Sequence, residues 1–268
     1  MNTRPSRRYR EDLLRVLMPV VVLGIAVLAW DVAVRWFKLP PVVLPAPGVV
    51  FRTIASDWDI LSEALLVTLT TTVEGFVLAL VGGVALAILF NLSRLAEYSF
   101  YPFAVILQVT PVVAIAPLLL IYLPQHGAVL TCAWIVAFFP VLANTTLGLN
   151  SVDHNLVDLF RLYGASGWQV LWRLKLPAAS PYILGGLKIV GGLSLIGAVV
   201  AEIAAGAAGR GAGLAFLISE SGYRLNIPRM FAALVLLSCA GIVIYFALAW
   251  LSYRLLRRWH ESAVTRER

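Results

Sequence analysis

Three charged residues stand where charge is expensive. Glu74, Glu202 and Lys188 each lie inside a long apolar run, and a charge at mid-bilayer costs about 2.5 to 3.5 kcal/mol on insertion scales. Clustered on facing helices, such groups could move protons, hydrolyse a bond within the membrane or carry a coupling ion. Here they are scattered singly. No catalytic residue is assigned, and an intramembrane enzyme is the weakest of the readings. An ion-coupled carrier working alone would give all three charges work and stands as the alternative. Lys188 lies about seven residues inside its run and can snorkel to the near interface. Glu202 adjoins a glycine-rich stretch, where a gate, a vestibule or plain interfacial exposure are all open. Glu74 is expected to pair with another span or subunit. Gln108, Thr110, Asn144 and Thr145 either line a path or bond across helices. Pro111 and Pro117 should kink or interrupt their run and free carbonyls that a cavity or neighbour must satisfy. The candidate path residues are thus Glu74, Gln108, Pro111, Asn144 and Glu202. His126, in LPQHG, reads as a solvated turn residue, and Cys132 and Cys239 read as small hydrophobes with no metal partner at ligand spacing.

The elements that must hold these residues are membrane spans. Of 268 residues, 60% are apolar and 13% charged, and mean hydropathy is +0.88, a composition that excludes a soluble enzyme and a disordered chain. Spans are expected at Val16 to Trp36 and Leu61 to Phe90. Two more lie between Tyr98 and Val152, parted by LPQHG at 123–127; the last two run from Ser180 and Pro181 to Ala205 and from Met230 to Tyr253. The fold class is therefore all-α and polytopic, with about six transmembrane helices. With the termini inside, Lys and Arg number fourteen on the inner side and six on the outer, which places both termini in the cytoplasm. The net charge of +7 follows this topology, and nucleic acid is not a partner. The organisation is a basic segment at 1–15, one transmembrane domain at 16–254 and a tail at 255–268. The basic segment is retained as an anchor.

One inner loop, 153–177, is richer than the rest. In DHNLVDLFRLYGASGWQVLWRLKLP, Leu156, Leu159, Phe160 and Tyr163 recur at helical spacing. Gly164 sits where a left-handed residue would end that helix, and Ser166 can cap a second one that Pro177 stops. Such a hairpin displays Phe160, Trp168, Leu171 and Trp172 without a core of its own. A partner's groove and the lipid headgroup layer are both possible sinks for these side chains.

The same segment resembles the EAA loop of bacterial ABC importer permeases. DLFRLYG at 158–164, then ASGWQVLWRLK, then LP at 176–177 follow that pattern, with Asp158 for its glutamate and Leu159 and Phe160 for its two alanines. LPPVVLPAPGVVFRTI, TPVVAIAPLLLIYL and GGLKIVGGLSLIGAVVAEIAAG followed by GRGAGL are similar to the nitrate, sulfonate and taurine type, so that residues 40–260 are covered. The resemblance implies a permease subunit in the bacterial inner membrane, paired with a second copy as a homodimer. It implies ABC ATPase subunits below, binding the ATP and magnesium that this chain does not, and a periplasmic substrate-binding protein above. Consistently, the chain has no G-x-x-x-x-G-K-[ST] loop. Asp158, Phe160, Tyr163, Gly164, Ala165, Ser166, Trp168, Leu176 and Pro177 would form the coupling-helix surface docked on the ATPase. The substrate implied is a small polar nutrient, nitrate-, sulfonate- or taurine-like or of pyrimidine type.

Overall fold

The computed structural model describes residues 5–206 and 211–256, all of whose regular elements are helical. In chain order they are α1 (Pro5–Trp36), α2 (Pro47–Ser56), α3 (Trp58–Leu92), α4 (Arg94–Val109), α5 (Val112–Tyr122) and α6 (Gln125–Asn150), followed by α7 (His154–Leu162) and α8 (Gly167–Val170). A π turn (Leu171–Lys175), α9 (Leu176–Ala205), α10 (Leu214–Tyr223) and α11 (Ile227–Leu256) complete the set. Residues 1–4 of the basic segment and 257–268 of the tail lie outside the described residues; the rest of that segment is helical from Pro5 and continuous with the first span.

Five helices are long and apolar enough to cross a bilayer, and α4 with α5, a pair bent by 102°, has the length and hydropathy of a sixth as one broken span or of a re-entrant loop. The break falls at Thr110 and Pro111. Proline has no N–H to continue the ladder and disfavours helix in the residue before it. Pro117, in contrast, is accommodated inside α5.

The centre of the molecule is the contact of α6 with α3 and α9. Small residues let the backbones approach. A Cβ on Gly75 would meet Ala133 at 2.6 Å, one on Gly83 would meet Val141 at 2.7 Å, and one on Gly148 would meet Ala179 at 2.9 Å. Lipid tails are as apolar as leucine, so helices in a membrane gain little from the hydrophobic effect, and close packing of this kind is what joins them. Ser194 Oγ on α9 adds a bond to the Thr72 carbonyl of α3 at 2.8 Å. By contrast, α1 exposes most of its apolar side chains from Leu17 to Trp36 and leans on the bundle only near its end.

Two expectations are corrected here. Pro177 does not stop a helix, and Ser180 does not start one: the chain is helical without interruption from Gly167 to Ala205. The π turn, in which the Leu176 N–H donates to the Leu171 carbonyl, provides the slack for Pro177. Ser180 Oγ donates at 2.7 Å to the Pro177 carbonyl, the acceptor that Pro181 cannot serve. The glycine-rich stretch before the last span also leads into α10, a helix that buries Leu214, Ala215, Phe216 and Leu217 against α2, α3 and α11.

Replacing Gly83 by valine is expected to destabilise the protein by about 1–3 kcal/mol through overpacking. The same change at Gly24, which has no neighbour within 4 Å, leaves it unchanged. Thermal unfolding of the purified variants in detergent measures both.

Candidate functional site

The hairpin forms as its sequence dictates. Asp153 caps α7, its carboxylate accepting from the Asn155 N–H at 2.9 Å. Gly164 ends the turn with φ +75°, a left-handed value that glycine adopts without strain. Ser166 and Gln169 form a capping box that starts α8. Val157, Val170 and Leu171 are buried against the bundle, so Leu171 is an anchor and not a displayed side chain. The displayed set is Leu162 and Tyr163, each 84% exposed, with Leu156, Leu159, Trp168 and Trp172. The two tryptophan rings pack edge to face at 5.8 Å.

Of the other residues expected on the docking surface, Asp158 is exposed, 3.5 Å from Arg161 one turn on. Phe160, Gly164 and Ala165 line a shallow groove of 390 Å³ between the two arms. Ser166 is spent on its cap. Leu176 packs on the core, and Pro177 lies exposed on the first turn of α9. Hairpin and bundle are also joined by polar links that the sequence did not reveal. Lys175 Nζ donates to Asn91 Oδ1 at 3.0 Å, and Asn91 Nδ2 donates to Asn150 Oδ1 at 3.2 Å. Asparagines at the matching ends of two apolar runs were the available signal.

At the far end, Glu202 is 3% exposed. Thr68 Oγ1 on α3 donates to its carboxylate at 2.8 and 3.1 Å, and the Ala215 N–H donates at 3.0 Å. The same Thr68 oxygen accepts from the Leu214 N–H at 2.9 Å. A carboxylate and a hydroxyl thus satisfy two of the unpaired N–H groups that open α10, where the helix dipole also favours an anion. A Cβ on Gly213 would run into the Glu202 carboxylate, which explains glycine there. Glu202 is therefore a structural clasp of α3, α9 and α10 as well as part of the far wall. Thr68 was missed because TLTTT reads as an unremarkable polar run.

Glu74 pairs with another span, α6: His126 Nε2 donates to its Oε2 at 2.9 Å, and both are about half exposed. His126 is accordingly solvated, as expected, but sits in the first turn of α6 and has a partner there. The contact also shows how deep α6 begins. Glu74 lies sixteen residues into α3, so about 24 Å of α3 rises beyond the start of α6. Above that recess is a cavity of 520 Å³ lined by Glu63, Thr70, Thr71, Gln125, His126 and Glu202, among others. Gln108 and Pro111 are exposed outside it. Asn144 and Thr110 bond to carbonyls of their own helices, Pro140 at 2.8 Å and Ile106 at 2.6 Å, instead of bonding across. Thr145 is buried with no partner.

This architecture, a recessed bundle with a projecting helical elbow, has known counterparts. A model of the family described as binding-protein-dependent transport system inner membrane component matches residues 79–259. The chain belongs to that family. A probable ABC transporter permease protein of Haemophilus influenzae is 30% identical over 91% of this chain and 98% of its own. The riboflavin transport system permease protein RibX of Chloroflexus aurantiacus is 34% identical over 97% of each chain. The formylaminopyrimidine transport permease protein ThiX of Halalkalibacterium halodurans is 30% identical over 90% and 96%. The fold also matches a chain of the MetNI methionine ABC transporter in inward-facing form, with TM-score 0.62 and 17% identity over 75% of this chain and 96% of that one. The permease is thus a transport subunit of an ABC importer for a small nutrient, and the ATPase is a separate subunit. Its partners are that ATPase and a substrate-binding protein, and its place is the inner membrane.

Thr68→Val in the permease removes the donor to Glu202 and the acceptor of Leu214 together. The expected cost is about 1–3 kcal/mol, read as a lowered melting midpoint. Thr70→Val, at an exposed position one turn face away, stays within about 0.5 kcal/mol of the parent.

Proposed function

We propose that the permease opens and shuts its path because an ATPase grips the 154–170 elbow, and that its cargo is a small heteroaromatic nutrient. The observation that carries the first part is the division of labour in the elbow. Val157, Val170 and Leu171 hold it to the bundle, while Leu162, Tyr163 and Trp168 are turned away from the chain's own core. Docking would bury those side chains in a cleft of the partner. Phe160, Ala165, Leu176 and Pro177 border that surface, and Gly164 fixes its bend. ATP and magnesium act on the partner. Since nucleotide shifts a conformational equilibrium only through unequal stability of the two states, the elbow must be held differently in the two nucleotide states. A second copy of the permease completes the path, the binding protein delivers at the far end, and both termini lie in the cytoplasm.

The second part rests on the far cavity. Its 520 Å³ falls in the usual range for a small-molecule site, and its described lining holds Glu63 and Glu202 with no Lys or Arg. Glu202 is already engaged by Thr68 and Ala215, whereas the exposed Glu63 carboxylate disfavours nitrate or sulfonate and offers an acceptor to ring N–H groups. The full-length likeness to permeases named for riboflavin and formylaminopyrimidine points the same way.

Gly164→Leu forces a side chain into a left-handed residue although nothing within 4 Å obstructs it. Membrane insertion is expected to persist while ATPase co-purification and uptake are lost; Tyr163→Arg, which alters an exposed side chain, is expected to do the same. Normal co-purification in both variants overturns the docking reading. Uptake that survives ATP depletion with the proton gradient intact favours an ion-coupled carrier. For the cargo, the cognate binding protein is expected to bind flavins or pyrimidines, and tight binding of nitrate or an alkyl sulfonate with neither ring class rejects it.

A further inference from the structure

A second and larger cavity, 660 Å³, opens where the elbow meets the bundle. Its apolar floor is Ala87, Phe90 and Leu149, all buried or nearly so. Its rim carries three cations from three elements: Arg94 at the start of α4, Arg161 on α7 and Lys175 at the end of the π turn. His154, Tyr98, Asn91 and Asn150 add hydrogen-bonding groups. Two carboxylates also reach it, Glu97 and Asp158. Asp158 lies 3.5 Å from Arg161 with both side chains mostly exposed, so three cations against two carboxylates leave the rim with one net positive charge. No pair within 4.0 Å is found between Arg94 and a carboxylate of the described residues.

The level of this cavity matters. It lies at the ends of α3 and α6 and the start of α4, and if α3 and α6 span the bilayer those ends would come near the headgroup layer. An apolar floor with a cationic rim fits an amphiphile with a phosphate head. Basic recesses between spans on the cytoplasmic side suit such headgroups. We infer that this cavity binds a phosphate group, that of an anionic phospholipid headgroup, and ties α4 to α7 and Lys175 through it. Bound there, the headgroup braces the joint between bundle and elbow. That bracing role depends on the docking reading proposed above, but the binding itself does not.

The test is native mass spectrometry of the full-length permease, delipidated in detergent and titrated with phosphatidylglycerol or phosphatidylcholine. Phosphatidylglycerol is expected to be retained more tightly. Arg94→Gln with Lys175→Gln is expected to cut that retention by about fivefold for each lost cation. Arg52→Gln with Lys38→Gln removes the same charge elsewhere and leaves retention intact. Inorganic phosphate at millimolar concentration should not displace the lipid; if it does, and protects the parent but not the double variant from unfolding, free phosphate is the ligand and the lipid assignment falls. Equal retention of both lipids, or retention unchanged in the double variant, overturns the site. Because no ATPase is present, these outcomes are separate from the fate of the docking reading.

Discussion

Close approach of α3, α6 and α9 is the constraint on which the rest of the permease depends. Gly75, Gly83, Gly148 and Gly197 each face a neighbour at a distance that a methyl group could not share. In lipid this is the main source of helix association, and it fixes the relative depth of the three helices. That depth sets the recess over α6, brings His126 beside Glu74 and aligns Asn91 with Asn150. A looser contact would leave these polar groups without partners in a medium that penalises them.

Polar groups inside the bundle are few, and several close a particular gap. Thr68 and Glu202 complete the start of α10, Ser194 ties α9 to α3, and Ser252 ties α11 to the Leu184 carbonyl of α9 at 2.7 Å. At the junction of α2 and α3, Asp57 receives Arg229 Nε at 2.6 Å and fixes the entry of α11. The far face is therefore assembled from short elements by specific bonds, while the middle is assembled by packing.

Much of this was legible in the residues. Apolar run lengths gave the spans, because the bilayer sets a length that hydropathy can report. Gly164 and Ser166 announced the elbow, because backbone handedness and capping are local requirements. What stayed hidden depends on distance in space. The unbroken helix through Pro177 and Pro181 required a π turn and a serine bond that no pattern marks. His126 read as a turn residue without a partner because Glu74 is fifty-two residues away. Glu202 looked like a gate or an interfacial charge because the N–H groups it caps belong to α10, beyond the glycine-rich stretch. Leu171 looked displayed because a π turn rotates the face that a regular helix would present.

That π turn has a mechanical meaning. From Gly167 to Ala205 the chain is one rod of thirty-nine residues, gripped near one end by the Lys175 chain and at the other by the Glu202 clasp. A twist applied at Trp168 would travel along one helix to the roof of the far recess, crossing no loop on the way, through a ladder that Ser180 patches where Pro181 leaves the Pro177 carbonyl without its backbone donor. The widened turn and the gap before Pro181, both near its base, are where such torsion would be absorbed instead of transmitted, so the stiffness of that short stretch governs how faithfully one face of the membrane informs the other.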